Sequence, residues 1–187
     1  MTDFTLSSNS IVRPFRSPWG AFPTRGMPIS TGVSTTTIHL GGLVALDNRS
    51  TGQHRIFEST GASAIIAEDL IVGIAAQKVS GSTATVDTVI PVWEANPMVE
   101  FKAVTKGAVL ANADIGATAS LGWDSTLNIV YVDLADSTAG NNRVIVTQHI
   151  DAIGDSGGYV AFKFMQEGDR ASTAAPSSIA LLAFYSR

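Results

Sequence analysis

The chain has no cysteine. That excludes a disulfide framework and any thiolate-ligated metal centre, since both need thiols. Charge is scarce: Asp, Glu, Lys and Arg make up 15% of the 187 residues, against about 25% in an average soluble domain. Polarity comes instead from serine and threonine hydroxyls. Long apolar runs are missing as well. The longest, residues 70–76, is interrupted by Gly73 and falls far short of the about 20 residues a membrane helix needs. The opening segment MTDFTLSSNS has no basic stretch leading into an apolar one, so it does not read as a secretory signal. The expectation is a soluble protein made in the cytoplasm, with no membrane partner. A formal net charge of −4 argues against direct binding to nucleic acid, whose partners are basic. Disorder is excluded by a hydrophobic content of 45% and a small net charge. A chain of this length suits one domain with appendages, burying on the order of 70% of its unfolded surface.

The charge that is present lies unevenly. Residues 1–32 carry Arg13, Arg16 and Arg25 against Asp3 alone, near +2, which leaves the remainder near −6. Pro14, Pro18, Pro23 and Pro28 fall in the same stretch, a spacing that forbids a helix or an interior strand. Phe4, Phe15, Trp19 and Phe22 are interleaved with the arginines. The segment reads as an extended arm. Its aromatics set it apart from an ordinary mobile terminus, and two further readings stand: an arm packed on its own domain, and an arm that orders on another subunit.

Residues 33–165 read as a β domain. Residues 34–40 are β-branched, 43–47 form a short apolar run ending in the turn signal Asp47-Asn48-Arg49-Ser50-Thr51-Gly52, and 70–79 form a strand in which Gly73 marks a bulge or a close backbone approach. Pro91 makes 85–95 an edge or a kinked strand. Residues 98–105, 127–134, 143–150 and 159–165 alternate with period two, the half-buried strand signature. One short helix is expected at 109–115. Residues 166–178 read as a linker and 179–185 as a last strand that pairs with its own sheet or with a neighbour's edge. About ten strands make the fold all-β, a small antiparallel barrel or sandwich.

Motifs with chemical content are few. Gly154-Asp155-Ser156-Gly157-Gly158 resembles the nucleophile loop of chymotrypsin-like serine proteases, where glycines let backbone N–H groups form an oxyanion hole. His39 or His54 and Asp69 or Asp87 nominally fill the order His, Asp, Ser. Neither histidine has the small-residue context of a protease base, and only 31 residues follow Ser156. Turn chemistry explains the string better. His39, His54 and His149 follow no metal-ligand spacing. Asp133 with Asp136 and Asp151 with Asp155 lack the ligand periodicity of a calcium loop. Asn48-Arg49-Ser50 is a glycosylation sequon without a secretory signal, and Gly41-Gly42 lacks a phosphate-loop context. No catalytic residue, metal or cofactor is expected.

Two stretches carry a resemblance. Val12-Arg13-Pro14-Phe15-Arg16-Ser17-Pro18-Trp19-Gly20 leads to a hydroxyl-rich strand and then Gly41-Gly42-Leu43-Val44-Ala45-Leu46-Asp47. Further on, Ile71-Val72-Gly73-Ile74-Ala75-Ala76, Pro91-Val92-Trp93, Met98-Val99-Glu100-Phe101-Lys102-Ala103, Ala113-Asp114-Ile115-Gly116-Ala117, Asn128-Ile129-Val130-Tyr131-Val132-Asp133 and Val160-Ala161-Phe162-Lys163-Phe164 follow in order. This sequence of short motifs, over about two thirds of the chain, resembles the capsid decoration or cement proteins of tailed phages. The resemblance implies a non-enzymatic virion protein, made in the host cytoplasm. It would bind the outer capsid surface, join adjacent major capsid protein subunits and self-associate as a homodimer or homotrimer. Arg13, Phe15, Arg16, Trp19, Phe22 and Arg25 are then the expected capsid contacts, since aromatic and arginine anchors dominate interfaces. On that expectation, removing residues 1–32 leaves a folded domain that no longer binds heads.

A carbohydrate-binding or adhesin-like β module is the alternative, with Trp93 and Trp123 as its glycan platform. A serine hydrolase built on Ser156 is the remote one.

Overall fold

The computed structural model describes residues 10–30, 37–47, 55–62, 66, 69–80, 88–106, 110–136 and 138–165. Among these residues eleven strands follow in order: β1 (Arg13–Arg16), β2 (Thr24–Pro28), β3 (Leu43–Leu46), β4 (Ile56–Glu58), β5 (Ile71–Ala75), β6 (Val89–Glu94), β7 (Glu100–Lys106), β8 (Thr118–Asp124), β9 (Ile129–Asp133), β10 (Asn142–His149) and β11 (Tyr159–Phe164). They form two packed sheets, β1-β7-β11-β10-β8-β9 and β2-β6-β5-β3-β4. The all-β class expected from the sequence is the fold observed.

In the first sheet β9 returns to β7 as a parallel neighbour, with Thr105 opposite Val132 and Lys106 opposite Asp133. A strand has two hydrogen-bonding edges. One edge of β7 is taken by β11. β1, opposite residues 100–102, and β9, opposite residues 105–106, therefore share the other edge end to end. The sheet is thus a five-stranded barrel whose remaining gap is filled by β1. Alternating residues fill its interior: Phe101 and Ala103, Ala119 and Leu121, Val130 and Val132, Val144 and Val146, Val160 and Phe162 are buried in one cluster. Phe101 and Phe162 lie 6.0 Å apart and both meet the Phe164 ring edge-on, the spacing and orientation that aromatic rings favour.

The second sheet also curls until its ends meet. Ile29, just past β2, bridges Ile56 of β4, and the Ser30 N–H donates to the Ile56 carbonyl at 2.8 Å. Met27, Ile38, Val44, Ile56, Ile90 and Val92 lie in the smaller core this encloses. Leu43, Ala45, Ile71 and Ile74 face the other way, into the larger core. The run Leu43–Leu46 is apolar without alternation because both its faces are covered.

Residues 10–30, part of the stretch 1–32 read from the sequence as an extended arm, supply β1 to one sheet and β2 to the other. Val12, Met27 and Ile29 are buried. β1 and β2 are both edge strands, the one place in a sheet where a proline's missing N–H is harmless. The proline spacing therefore excluded interior strands but not these. Pro91 corrects the opposite way. β6 is not an edge: it lies between β2 and β5. The Pro91 carbonyl accepts from Ala76 N–H at 2.9 Å, just beyond the end of β5. In an antiparallel strand a residue's nitrogen faces the same side as its carbonyl, so the proline nitrogen faces the stretch where β5 has ended.

Gly73 is the close approach expected of it, since a Cβ there would lie 2.1 Å from the Trp93 carbonyl oxygen. The helix expected at 109–115 is only a 3-10 turn, Asn112–Asp114, in which the Asp114 carboxylate accepts the Ala111 N–H at 2.7 Å. β4 and β8 were not expected. Gly122 breaks the pattern of β8 because the Tyr131 ring occupies the place of its side chain. The linker at 166–178 and the strand at 179–185 lie outside the described residues.

Candidate functional site

The expected contact residues fall on β1, on β2 and on the chain between them. β1 belongs to one sheet and β2 to the other, so residues 17–23 cross between them. Trp19 on this crossing is 58% exposed, and Phe22 is exposed beside it in sequence. Arg13 and Arg16 on β1 and Arg25 on β2 are exposed as well, while Phe15 is half-buried. The Arg16 guanidinium lies 4.8 Å over the Phe15 ring and 3.9 Å from the Glu100 carboxylate. Exposing an indole to water is unfavourable, and an aromatic flanked by arginines is a common anchor at protein interfaces.

The two tryptophans expected as a glycan platform lie at the margin of the large core. Trp93 and Trp123 are half-buried and pack against the large core.

Ser156 lies in the turn between β10 and β11. Gly154 and Gly157 adopt φ of 92° and 74° there, and Leu110 ties the turn down: its N–H donates to the Asp155 carbonyl and its carbonyl accepts from Gly154 N–H. No hydrogen bond among the described residues joins Ser156 to a histidine. The aspartates close turns too. Asp133 accepts the N–H groups of Ala135 and Asp136, Asp136 accepts from Thr138 and Asn141, and Asp151 accepts from Tyr159. Among the described residues no three His, Asp or Glu side chains come together to hold a metal ion, and no helix is long and apolar enough to cross a membrane.

A second feature, missed from the sequence, adjoins the arm. His39 and Glu58 form a buried pair: the Glu58 side chain is 1% exposed and its Oε2 lies 2.9 Å from His39 Nδ1. The His39 backbone N–H donates to Glu58 Oε1 at 2.9 Å. Burial pushes the Glu58 carboxyl above the ordinary range, while the hydrogen bonds and charge of His39 pull it back down. Two glycines make the arrangement possible. A Cβ on Gly42 would lie 2.0 Å from Glu58 Oε1, and one on Gly41 2.7 Å from the Ile11 Cβ. The His39 ring also meets the Trp123 ring, centroid to centroid, at 5.5 Å.

Beside His39 opens a pocket of about 390 Å³, lined by Ile11, Arg13, Leu40, Lys78, Leu127 and Asn128 as well as His39. It lies between the beginning of β1 and the turn before β9, the two strands that share one edge of β7. Asn128 takes a left-handed conformation, φ 54°, which asparagine tolerates. The sequence signal was the Gly41-Gly42 pair, one residue beyond His39. Its use is close packing against Glu58 and Ile11, not a phosphate loop.

No family model, curated protein or solved structure matches this chain. The functional reading therefore rests on the surface just described and on the sequence motifs.

Proposed function

We propose that this chain is a structural virion protein that docks on the outer surface of a tailed-phage capsid and cements adjacent major capsid protein subunits. The observation that carries the reading is the surface at the β1–β2 crossing, where Trp19 and Phe22 stand exposed between Arg16 and Arg25. Well-buried aromatic and arginine anchors supply most of the energy of a protein interface. The chain that carries them is tied at both ends, to β1 in one sheet and to β2 in the other. A chain tied at both ends has less freedom to lose on docking. The positive charge of the surface within an acidic chain suits an acidic partner face.

The motif order shared with capsid decoration proteins supplies the partner class. Many copies on one shell then hold by avidity even where each contact is modest. A cysteine-free, hydroxyl-rich β module suits a part assembled in a reducing cell and used outside it. The chain acts in this reading as a homodimer or homotrimer and carries no catalytic step. The test is co-sedimentation of the purified chain with heads of the phage that encodes it. Saturation at a fixed ratio to the capsid subunit is expected, and absence of the chain from the head pellet overturns the proposal.

A further inference from the structure

We propose that the pocket beside His39 receives a carboxylate, presented on an acidic side chain of the protein surface to which this chain binds. The identity of the partner rests on the reading above; the chemistry of the pocket stands on its own observations.

The first is charge. Arg13, His39 and Lys78 line the pocket, and among the described residues that line it there is no carboxylate. This is a cationic concavity on a chain whose residues beyond the arm carry a net charge near −6. Lys78 is exposed and joins none of the ion pairs among the described residues. Glu58 lies against His39, which engages both of its carboxylate oxygens. A cation without a carboxylate partner, at the rim of a concave site, raises the local concentration of anions.

The second is fixed geometry. His39 cannot swing: Glu58 holds its backbone N–H and its Nδ1, and the Gly42 N–H donates to the His39 carbonyl at 3.0 Å. With Nδ1 engaged, Nε2 is the ring nitrogen left to meet a ligand. The Gly41 N–H bonds the Ala75 carbonyl and Ala75 N–H bonds the Gly42 carbonyl, each at 2.9 Å, which anchors the same turn to β5. A donor set fixed in advance binds with little ordering cost.

The third is the apolar part of the lining. Ile11, Leu40 and Leu127 line it together with the polar groups. A bare inorganic anion gains nothing from them, whereas the methylene stem of a glutamate covers them while its head meets Lys78 and His39. The pocket also abuts Arg13, one of the arm arginines, so one docked surface can engage both.

The experiment is a titration of the full ¹⁵N-labelled chain at low salt with a blocked Ala-Glu-Ala peptide. Parallel titrations use blocked Ala-Gln-Ala and inorganic phosphate. The glutamate peptide is expected to shift the amides of His39, Leu40, Lys78 and Asn128 and the indole resonance of Trp123. The glutamine peptide leaves them in place, and phosphate binds more weakly than the glutamate peptide. Lys78→Glu, which alters an exposed side chain, should keep the dispersed spectrum and weaken the peptide by about tenfold, since like charges repel across a shared site. Absence of shifts, equal shifts with glutamine, or tighter binding of phosphate overturns the carboxylate site. A second arm repeats head co-sedimentation with Lys78→Glu, where a comparable loss is expected. Unchanged head binding by that variant overturns the pocket's role in docking and leaves the proposed function standing. Failure of the unaltered chain to bind heads strikes the proposed function, and the peptide titration still decides the pocket.

Discussion

His39 holds Glu58 at two points, its backbone N–H on Oε1 and its Nδ1 beside Oε2, each at 2.9 Å. Through this pair the segment before β3 is fastened to β4. Through the His39–Trp123 ring contact at 5.5 Å it is also fastened to β8 of the other sheet. One carboxylate thus helps to set how the two sheets meet.

That carboxylate makes stability depend on pH in a defined direction. Burial raises the Glu58 carboxyl above its ordinary value, so the folded chain binds this proton more readily than the unfolded chain. The associated stability is fully present below the unfolded value, about 4.3, and is lost as pH rises through the raised folded value. Glu58→Gln removes the titration. Urea unfolding of both chains between these limits should show a shallower fall of stability with pH in the variant. An identical slope would count against the burial of Glu58 as its cause.

Asp124 works with the opposite sign. A hydrogen bond from Lys106, at 3.0 Å, holds its carboxyl below the ordinary carboxylate range, helped by the N–H groups of Leu127 and Thr126. Its contribution is present above the unfolded value of about 3.9 and is lost as pH falls through the lower folded value. Asp124→Asn is expected to lower stability at neutral pH and to lessen the loss on acidification below that point. Thermal melts across the acid range check this. Because the Lys106 side chain is 46% exposed, added salt should shrink the Lys106 part of the effect.

Two glycines are predicted to be intolerant of a single methyl group. In Gly42→Ala the new Cβ meets Glu58 Oε1, and in Gly73→Ala it meets the Trp93 carbonyl oxygen at 2.1 Å. Overpacking of this kind costs about 1–3 kcal/mol. Gly73→Ala should be the worse of the two, because a backbone carbonyl in a paired strand cannot rotate aside as a side chain can. Denaturant midpoints of the two variants measure the order directly.

Deleting residues 1–30 should abolish cooperative unfolding. The deletion empties the places of Val12, Met27 and Ile29 and bares the edges of β7 and β6. Trp19→Ala and Phe22→Ala, by contrast, should leave the melting temperature near that of the parent, because both side chains are exposed. The capsid reading came with the expectation that a folded domain remains without this segment; the burial of Val12, Met27 and Ile29 argues for the opposite outcome.

The strands that alternate cleanly were legible in the sequence. Phe162 and Phe164 fall on one face of β11 and Lys163 on the other, and burial follows that pattern. β3 was legible as an apolar run, although not that both its faces are covered. What could not be read depended on partners distant in sequence. β8 was hidden because Gly122 exists to receive the ring of Tyr131. Pro91 looked like an edge marker because the end of β5 at Ala75 is not visible from β6. His39 and Glu58 are 19 residues apart, and no local spacing rule joins them. The exposed aromatic surface at Trp19 was legible, since aromatics among prolines and arginines have no local core to enter.

Head co-sedimentation of the unaltered chain and of the double variant Trp19→Ala, Phe22→Ala tests the central claim most directly. The account predicts that the unaltered chain saturates the heads at a fixed ratio, and that the folded double variant binds at least about thirtyfold more weakly, the loss of one interface anchor of about 2 kcal/mol. Equal binding by the two chains, or no binding by either, would contradict it.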